Sequence, residues 1–409
     1  MTAVRCLFLC TRRVSRPLAA MAAVGMITLT VYCCTTGHKV HRKSTSDDVA
    51  RTSQILHANV VDGGASVYAA RRRRLQQVCE GNNGTGRTEN ILVYRNMSYG
   101  VVPKAGCTFW IRVFRFLHND TRGRSLDNPF QMTRYEAHGG PRKIKMYRLQ
   151  KEEDRRVVMA TTRFMVARSP FTRLFSAYID KLYLPDYWSS AGKTIVSRRE
   201  NASSRSLSCG HDVSFTEFLG HVVDVGERNV VSLNGHWRPI EHACNPCAFK
   251  PDIVATQETF SRDSRFILER FGLGHLLQNH SRIDHVLDEL TILTDWNYRP
   301  HDMCLTRKQL AGRLWRTFQI NGYLTPGSEE LLEAESSENL TKDKLKQLMF
   351  RSYQDSISTK QESSAQRRSY LRQAYASVPR GILDRVVKLF RNDFLYFDYD
   401  SSVDTLLQM

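Results

Sequence analysis

The segment Val101-Val102-Pro103-Lys104-Ala105-Gly106-Cys107-Thr108-Phe109-Trp110 constrains this chain more than any other. A strand-like run, Tyr99 to Val102, halts at a proline; a turn of small residues with one lysine follows, and a helical pattern runs from Thr108 to Leu117. Strand, tight turn and helix N-terminus together bind phosphate, because free backbone N–H groups point outward and the helix dipole adds positive potential. Lys104 brings a mobile full charge to the same spot. The order is not that of the G-x-x-x-x-G-K-[ST] loop, where lysine comes last beside the hydroxyl. Here lysine leads, then Gly106, then Thr108. In isolation the segment also reads as an ordinary strand-to-helix turn with a solvated lysine.

A second segment, Phe164 to Tyr178, repeats the architecture. An apolar strand ends at Arg168, Ser169 is a good N-cap and Pro170 suits the first helical position. Phe171, Leu174, Phe175 and Tyr178 make a buried stripe, with Arg173, Ser176 and Asp180 off it. Arg168 and Ser176 can then face the crevice beyond the strand ends, where open α/β sheets take ligands. Arg173 reads equally as a ligand or as a surface residue paired with Asp180. Further on stand Phe215-Thr216-Glu217-Phe218-Leu219, Asn234-Gly235-His236-Trp237-Arg238-Pro239-Ile240, Cys244-Asn245-Pro246-Cys247, Pro251 to Thr259 and finally Asp393 to Tyr399.

Pro-Lys-x-Gly-x-Thr after a strand resembles the 5′-phosphosulfate loop of sulfotransferases, which use 3′-phosphoadenosine 5′-phosphosulfate (PAPS) as sulfate donor. R-x-P-F-x-R-L-x-S-A-Y resembles the 3′-phosphate site of the Golgi carbohydrate sulfotransferases that include the chondroitin 4-O-, dermatan 4-O-, N-acetylgalactosamine 4-O- and HNK-1 enzymes. The later segments match that family in the same order. The resemblance spans about Asn90 to Phe271 and again Ile382 to Tyr399. It implies an α/β, P-loop NTPase-like sulfotransferase fold with a central parallel sheet flanked by helices. It also implies donor contacts from Pro103, Lys104, Ala105, Gly106, Cys107, Thr108 and Phe109 at the 5′ end, and from Arg168, Arg173 and Ser176 at the 3′ end. Ser169 stands where members often carry an acidic residue; either type caps a helix.

Residues Pro17 to Gly37 carry no charge, and Leu18 to Cys34 is just long enough to span a thin bilayer. Arg5, Arg12, Arg13 and Arg16 precede it and Lys39, Arg42 and Lys43 follow, a slight bias that favours a cytoplasmic N-terminus; a cleaved signal peptide is the competing reading. The expected order is a cytoplasmic tail (1–16), a signal-anchor (17–37), a polar stem (38–88) and a lumenal domain (89–409) with a helical insertion at about 272–380. Within the insertion, Glu329 to Glu335, Lys342 to Tyr353 and Arg367 to Ala376 read as polar helices. Arg71 to Arg74 is either a solvated patch or a processing site that releases soluble enzyme. Six N-x-[ST] sites (Asn83, Asn96, Asn119, Asn201, Asn279 and Asn339) fit a lumenal address. So do Cys79, Cys107, Cys209, Cys244, Cys247 and Cys304, an even set whose pairing the sequence leaves open. Cys244-x-x-Cys247 with His236 and His242 is a weaker zinc possibility, and no metal is expected.

The charge of +18, from 59 basic and 41 acidic residues, calls for polyanionic partners. A lumenal address turns that expectation from nucleic acid to sulfated or uronate-bearing glycans and to the donor, with a glycan or proteoglycan as acceptor at the Golgi membrane. Lys104 would neutralise charge on the leaving 5′-phosphate. His236, from the His-Trp pair, is the candidate base for the acceptor hydroxyl, with His138, Glu258 and Asp180 as rivals. Trp237 reads as core before sugar platform. Two other readings stand beside this one: a glycan-binding protein without turnover, and a lumenal nucleotide kinase, which the loop order disfavours.

Overall fold

The computed structural model describes residues 66–81, 86–139, 143–278, 281–299, 304–336, 340–355 and 358–408. The tail, the expected membrane segment and the first part of the stem lie outside the described residues. Among the described residues no helix is long and apolar enough to cross a membrane.

Four short strands form one sheet in the order β1 (Ile91–Tyr94), β2 (Met97–Gly100), β3 (Thr162–Ala167) and β4 (Ile253–Thr256). β2, β3 and β4 run parallel, as expected, with Tyr99 opposite Phe164 and Val166 opposite Ala255. β1 adds an antiparallel edge through a two-residue turn at Arg95 and Asn96. The three parallel strands are almost wholly buried, as a sheet covered on both faces requires. β2 ends two residues earlier than the run to Val102 suggests, and the Val101 N–H donates instead to the Asn90 carbonyl. Gly100, the last residue of β2, has no room for a side chain, since a Cβ there would sit 2.6 Å from the Cys244 sulfur.

The core over this sheet is aromatic. Tyr99 stacks on Phe164 at 5.0 Å, and Trp110, from the helix α2 (Cys107–Leu117), meets Phe164 at 4.5 Å. Each such ring contributes about 1.5–3 kcal/mol on burial. A second core gathers the stripe of α5 (Pro170–Tyr178), where Phe171, Leu174, Phe175 and Tyr178 are all buried, with Phe218, Trp237 and Phe394. Trp237 is 2% exposed and edge-on to Phe218, so it is core.

The insertion folds around a third core of Leu290, Leu314, Trp315, Phe318, Met349 and Tyr353. Its expected helices appear as Glu330–Glu333, Lys342–Asp355 and Lys360–Ala376. Two more, Arg282–Asn297 and Arg307–Ile320, went unread in the sequence although capping boxes open both, Ser281 with Asp284 and Thr306 with Gln309. The insertion is fastened to the sheet domain by the Cys209–Cys304 disulfide and by Arg112, which meets Asp288 at 2.7 Å.

The end of the expected stem belongs to the folded domain. Residues 66–80 form the helix α1, with Tyr68 and Leu75 buried seven residues apart on one face. Arg71 donates to the Val254 carbonyl, Asp263, Thr256 and Thr259, and Cys79 is joined to Cys247. An arginine run reads as solvated because its partners at β4 are almost two hundred residues away. Leu75 is 3% exposed, so a protease cutting at Arg74 would have to open this helix first. The Cys79–Cys247 pair also takes Cys247 out of any zinc set, and Cys107 and Cys244 remain as thiols.

Candidate functional site

The loop from Pro103 to Gly106 joins β2 to α2. Two residues in it are left-handed, Lys104 at φ 66° and Gly106 at φ 76°. Gly106 is the N-cap, and a side chain there would collide with the Phe260 ring at 2.3 Å as well as meet the φ penalty. Lys104 carries that penalty, about 1–3 kcal/mol, and the surrounding bonds sustain it. Ala105 is fully buried and its N–H donates to the Val102 carbonyl. The N–H groups of Cys107, Thr108 and Phe109 belong to the first turn of α2 and have no partner within the helix.

Two arginines of the second crossing hold the carbonyl side of this loop. Arg168 Nη1 donates to the Lys104 carbonyl at 2.9 Å, and its Nε to Thr172 Oγ1 at 3.1 Å. Arg173 Nε donates to the Pro103 carbonyl at 3.0 Å and its Nη2 to the Gly235 carbonyl at 3.3 Å. Arg173 is thus no surface residue and no partner of Asp180. It is completely buried, lies between the Lys104 loop and the His236 loop, and has its pKa pushed down to about 10 by burial. Arg168 keeps Nη2 clear of hydrogen bonds among the described residues. Half-buried Ser176, on the same helix, likewise has no hydrogen bond to its hydroxyl among the described residues. Ser169 is the N-cap of α5, but its side chain makes no capping bond; its N–H is taken by Glu258 Oε1 at 3.2 Å. Glu258 Oε2 accepts from Tyr399, so this rival base is a brace at the end of β4.

Lys104 Nζ lies 2.9 Å from Asp180 Oδ2. Arg134, from α3 (Arg134–His138), reaches Asp180 Oδ1 at 2.9 Å, and Lys181 reaches Oδ2 at 3.3 Å. Burial pushes the Asp180 carboxyl up, but Arg134, Lys104 and Lys181 outweigh it and hold the group well below the usual carboxylate range. Burial lowers the Lys104 pKa, against the pull of Asp180. Asp180 is therefore a fixed counter-ion rather than a base, and one carboxylate is shared by three cations. Arg134 and Lys181 were missed in the sequence because nothing local marks them; only the fold brings them to Lys104.

His236 stands beside this cluster. Asn234 Oδ1 accepts the His236 backbone N–H at 3.0 Å and lies 2.8 Å from Nδ1. An oxygen already accepting one N–H fixes the amide's orientation, so Nδ1 carries the ring proton and Nε2 the lone pair. Tyr187 OH lies 3.2 Å from the same Nδ1. Burial first, then Lys181 and Lys104, push the His236 pKa down to about 2, with Asp180 opposing. The ring is therefore neutral throughout the physiological range. The other rival, His138, has Nε2 2.9 Å from Thr108 Oγ1, so Thr108 faces His138 rather than standing clear at the helix end. Phe109 packs edge-on to Phe260 at 5.2 Å, and Cys107 is half-buried. A separate groove of about 540 Å3 is lined by Arg74, Arg380, Lys388, Arg391 and Tyr399, the partner of Glu258. Among the described residues no group of His, Cys, Asp and Glu could hold a metal ion.

The sulfotransferase family model matches residues 93–293, which takes in both crossings and the His236 loop. Over 244 residues the chain is 28% identical to carbohydrate sulfotransferase 11 of Mus musculus, covering 56% of this chain and 68% of that protein. It is 33% identical over 172 residues to carbohydrate sulfotransferase 14 of Homo sapiens, covering 42% of this chain and 43% of that one. Against carbohydrate sulfotransferase 9 of Homo sapiens it is 26% identical over 254 residues, 59% and 56% of the two chains. No solved structure matches. With the loop, its two arginine braces and the neutral histidine lying inside the matched stretch, the chain belongs to the carbohydrate sulfotransferase family, a family of transferases.

Proposed function

We propose that this protein transfers the sulfuryl group of PAPS to a hydroxyl of a glycan, the 4-hydroxyl of N-acetylgalactosamine in chondroitin- or dermatan-type chains. The observation that carries the reading is the cluster of three cations, Lys104, Arg134 and Lys181, around two carboxylates, Asp180 shared by all three and Asp186 on Lys181, next to a neutral histidine whose Nε2 has no hydrogen bond among the described residues. Such a cluster has charge to spare for an anion. The donor supplies an activated sulfuryl group whose departure leaves negative charge on its 5′-phosphate.

Lys104 and the first N–H groups of α2 would hold the 5′ end. Arg168 through Nη2 and Ser176 through its hydroxyl would hold the 3′-phosphate. Arg173 acts beneath them, fixing the relative position of the Pro103 and Gly235 carbonyls. His236 Nε2 would accept the acceptor's proton. An anion on Lys104 and Lys181 would offset the charges that, with burial, depress the ring's basicity, and so raise its affinity for a proton. No metal is needed in this scheme.

The exposed sequons at Asn96, Asn119 and Asn201 and the two disulfides support a Golgi lumenal setting, with residues 17–37 as type II anchor. The test is incubation of the chain from residue 57 onward with labelled PAPS and a panel of desulfated glycosaminoglycans, followed by disaccharide mapping. Label on the 4-position of N-acetylgalactosamine is expected. Label on another sugar would refute the acceptor; no transfer to any glycan, with no binding of the product nucleotide PAP, would refute the reaction.

A further inference from the structure

We propose that the insertion completes the acceptor site with a platform of Trp296, Tyr135, Arg122 and Arg299, which receives the anionic groups of the glycan chain beside the reacting sugar. The proposal rests on the function proposed above and adds a place for the polymer. Trp296 lies on the helix Arg282–Asn297, three residues past the end of the family match at 293. Its Nε1 donates to Asp186 Oδ1 at 3.1 Å. The Arg134 guanidinium sits 5.5 Å from its ring centre and that of Arg299 5.4 Å. Tyr135 lies 6.5 Å away, ring to ring.

Two short paths tie this indole to the reacting groups. Arg134 shares Asp180 with Lys104. Asp186 pairs with Lys181, whose ammonium stands 5.1 Å from the ring of Tyr187, the partner of His236. The platform is thus the next surface outward from the cation cluster.

Its outer face is built for an anionic sugar chain. Tyr135 is 55% exposed, the Arg122 guanidinium lies 4.9 Å from its ring, and Arg299 is exposed. Neither Arg122 nor Arg299 has a carboxylate partner among the described residues; Arg122 donates only to the Gly139 carbonyl there. Aromatic faces hold both guanidinium planes, and a planar fork matches the two oxygens of a carboxylate or sulfate. Charge complementarity selects a polyanion. The shared chemistry is an oxyanion on the polymer, either uronate carboxylate or sulfate.

The test substitutes exposed side chains together, Tyr135→Ala, Arg122→Ala and Arg299→Ala, with Arg299→Lys alone as the conservative variant. Binding is read against immobilised desulfated chondroitin and against a carboxyl-reduced sulfated chain over a salt series, with KM for acceptor and donor. The triple variant is expected to raise the acceptor KM about tenfold and leave the donor KM and PAP affinity in place. Its polymer binding should depend less steeply on salt, and Arg299→Lys should recover charge but lose part of the affinity. Whichever chain loses more affinity identifies the oxyanion. An acceptor KM within about twofold of the parent, or an equal loss of PAP affinity, would overturn the platform. A parent protein that binds polyanion through these residues yet neither binds PAP nor transfers sulfate would instead remove the proposed reaction and leave the platform standing.

Discussion

The crossing from β2 to α2 and the crossing from β3 to α5 look alike in sequence and are built differently. The first passes through two left-handed residues and places its lysine against a buried carboxylate shared by three cations. The second passes through Ser169 and Pro170 without a left-handed residue, and its two arginines each donate to a carbonyl of the first loop, Arg168 to Lys104 and Arg173 to Pro103. One loop holds its charge on a strained backbone, with Lys104 in the left-handed region. The other is a support in which Arg168 Nη2 and the Ser176 hydroxyl make no hydrogen bond among the described residues. That division suits a donor whose 5′ end changes charge during reaction while its 3′ end does not.

The contrast breaks first at Asp180. Asp180→Asn strands Lys104 and Arg134 without a carboxylate partner, leaves Lys181 only Asp186, and should cost about 3–5 kcal/mol in a denaturant titration. The sign follows from the depressed carboxyl pKa: this stability is present above the ordinary carboxylate value and is lost as pH falls through the lower folded one. An unchanged midpoint would mean that Asp180 is not the keystone of the cluster. Lys104→Ala should lower kcat about 10²–10³-fold, as expected for a lost charge stabiliser; a variant turning over at the parent rate would make Lys104 a spectator. Ser176→Ala should act mainly on the donor KM, raising it about tenfold for one lost hydrogen bond to a charged group. A loss in kcat alone would place Ser176 with the first crossing. The smallest effect is in the pH profile. Because His236 is already neutral in the free protein, kcat/KM should show no His236 ionisation near 6.5. An acid limb there that vanishes in His236→Gln would show a protonated ring and a looser first loop.

Much of the site's local framework was legible. The start of α2, the buried stripe of α5 and the order of the motifs follow from apolar periodicity and from proline, glycine and hydroxyl residues at element ends, which act within a few residues. The capping boxes at Ser281 and Thr306 were equally local and would have located two of the insertion's helices. The helix 66–80 was hidden because its arginines dominate the pattern and only two apolar residues, Tyr68 and Leu75, are fully buried.

The sequence by itself determined that a strand, a glycine-bearing turn with a lysine and a helix N-terminus would be followed along the chain by a second strand-to-helix crossing, because backbone geometry and hydrophobic period are properties of neighbouring residues. Only the tertiary structure decided that Arg173 braces the loop from below, that Asp180 is a counter-ion, and that Trp296 stands at the rim. These roles depend on burial and on partners 46 to 110 residues apart in the chain. Desolvation and Coulomb forces act through space, and no local pattern encodes them.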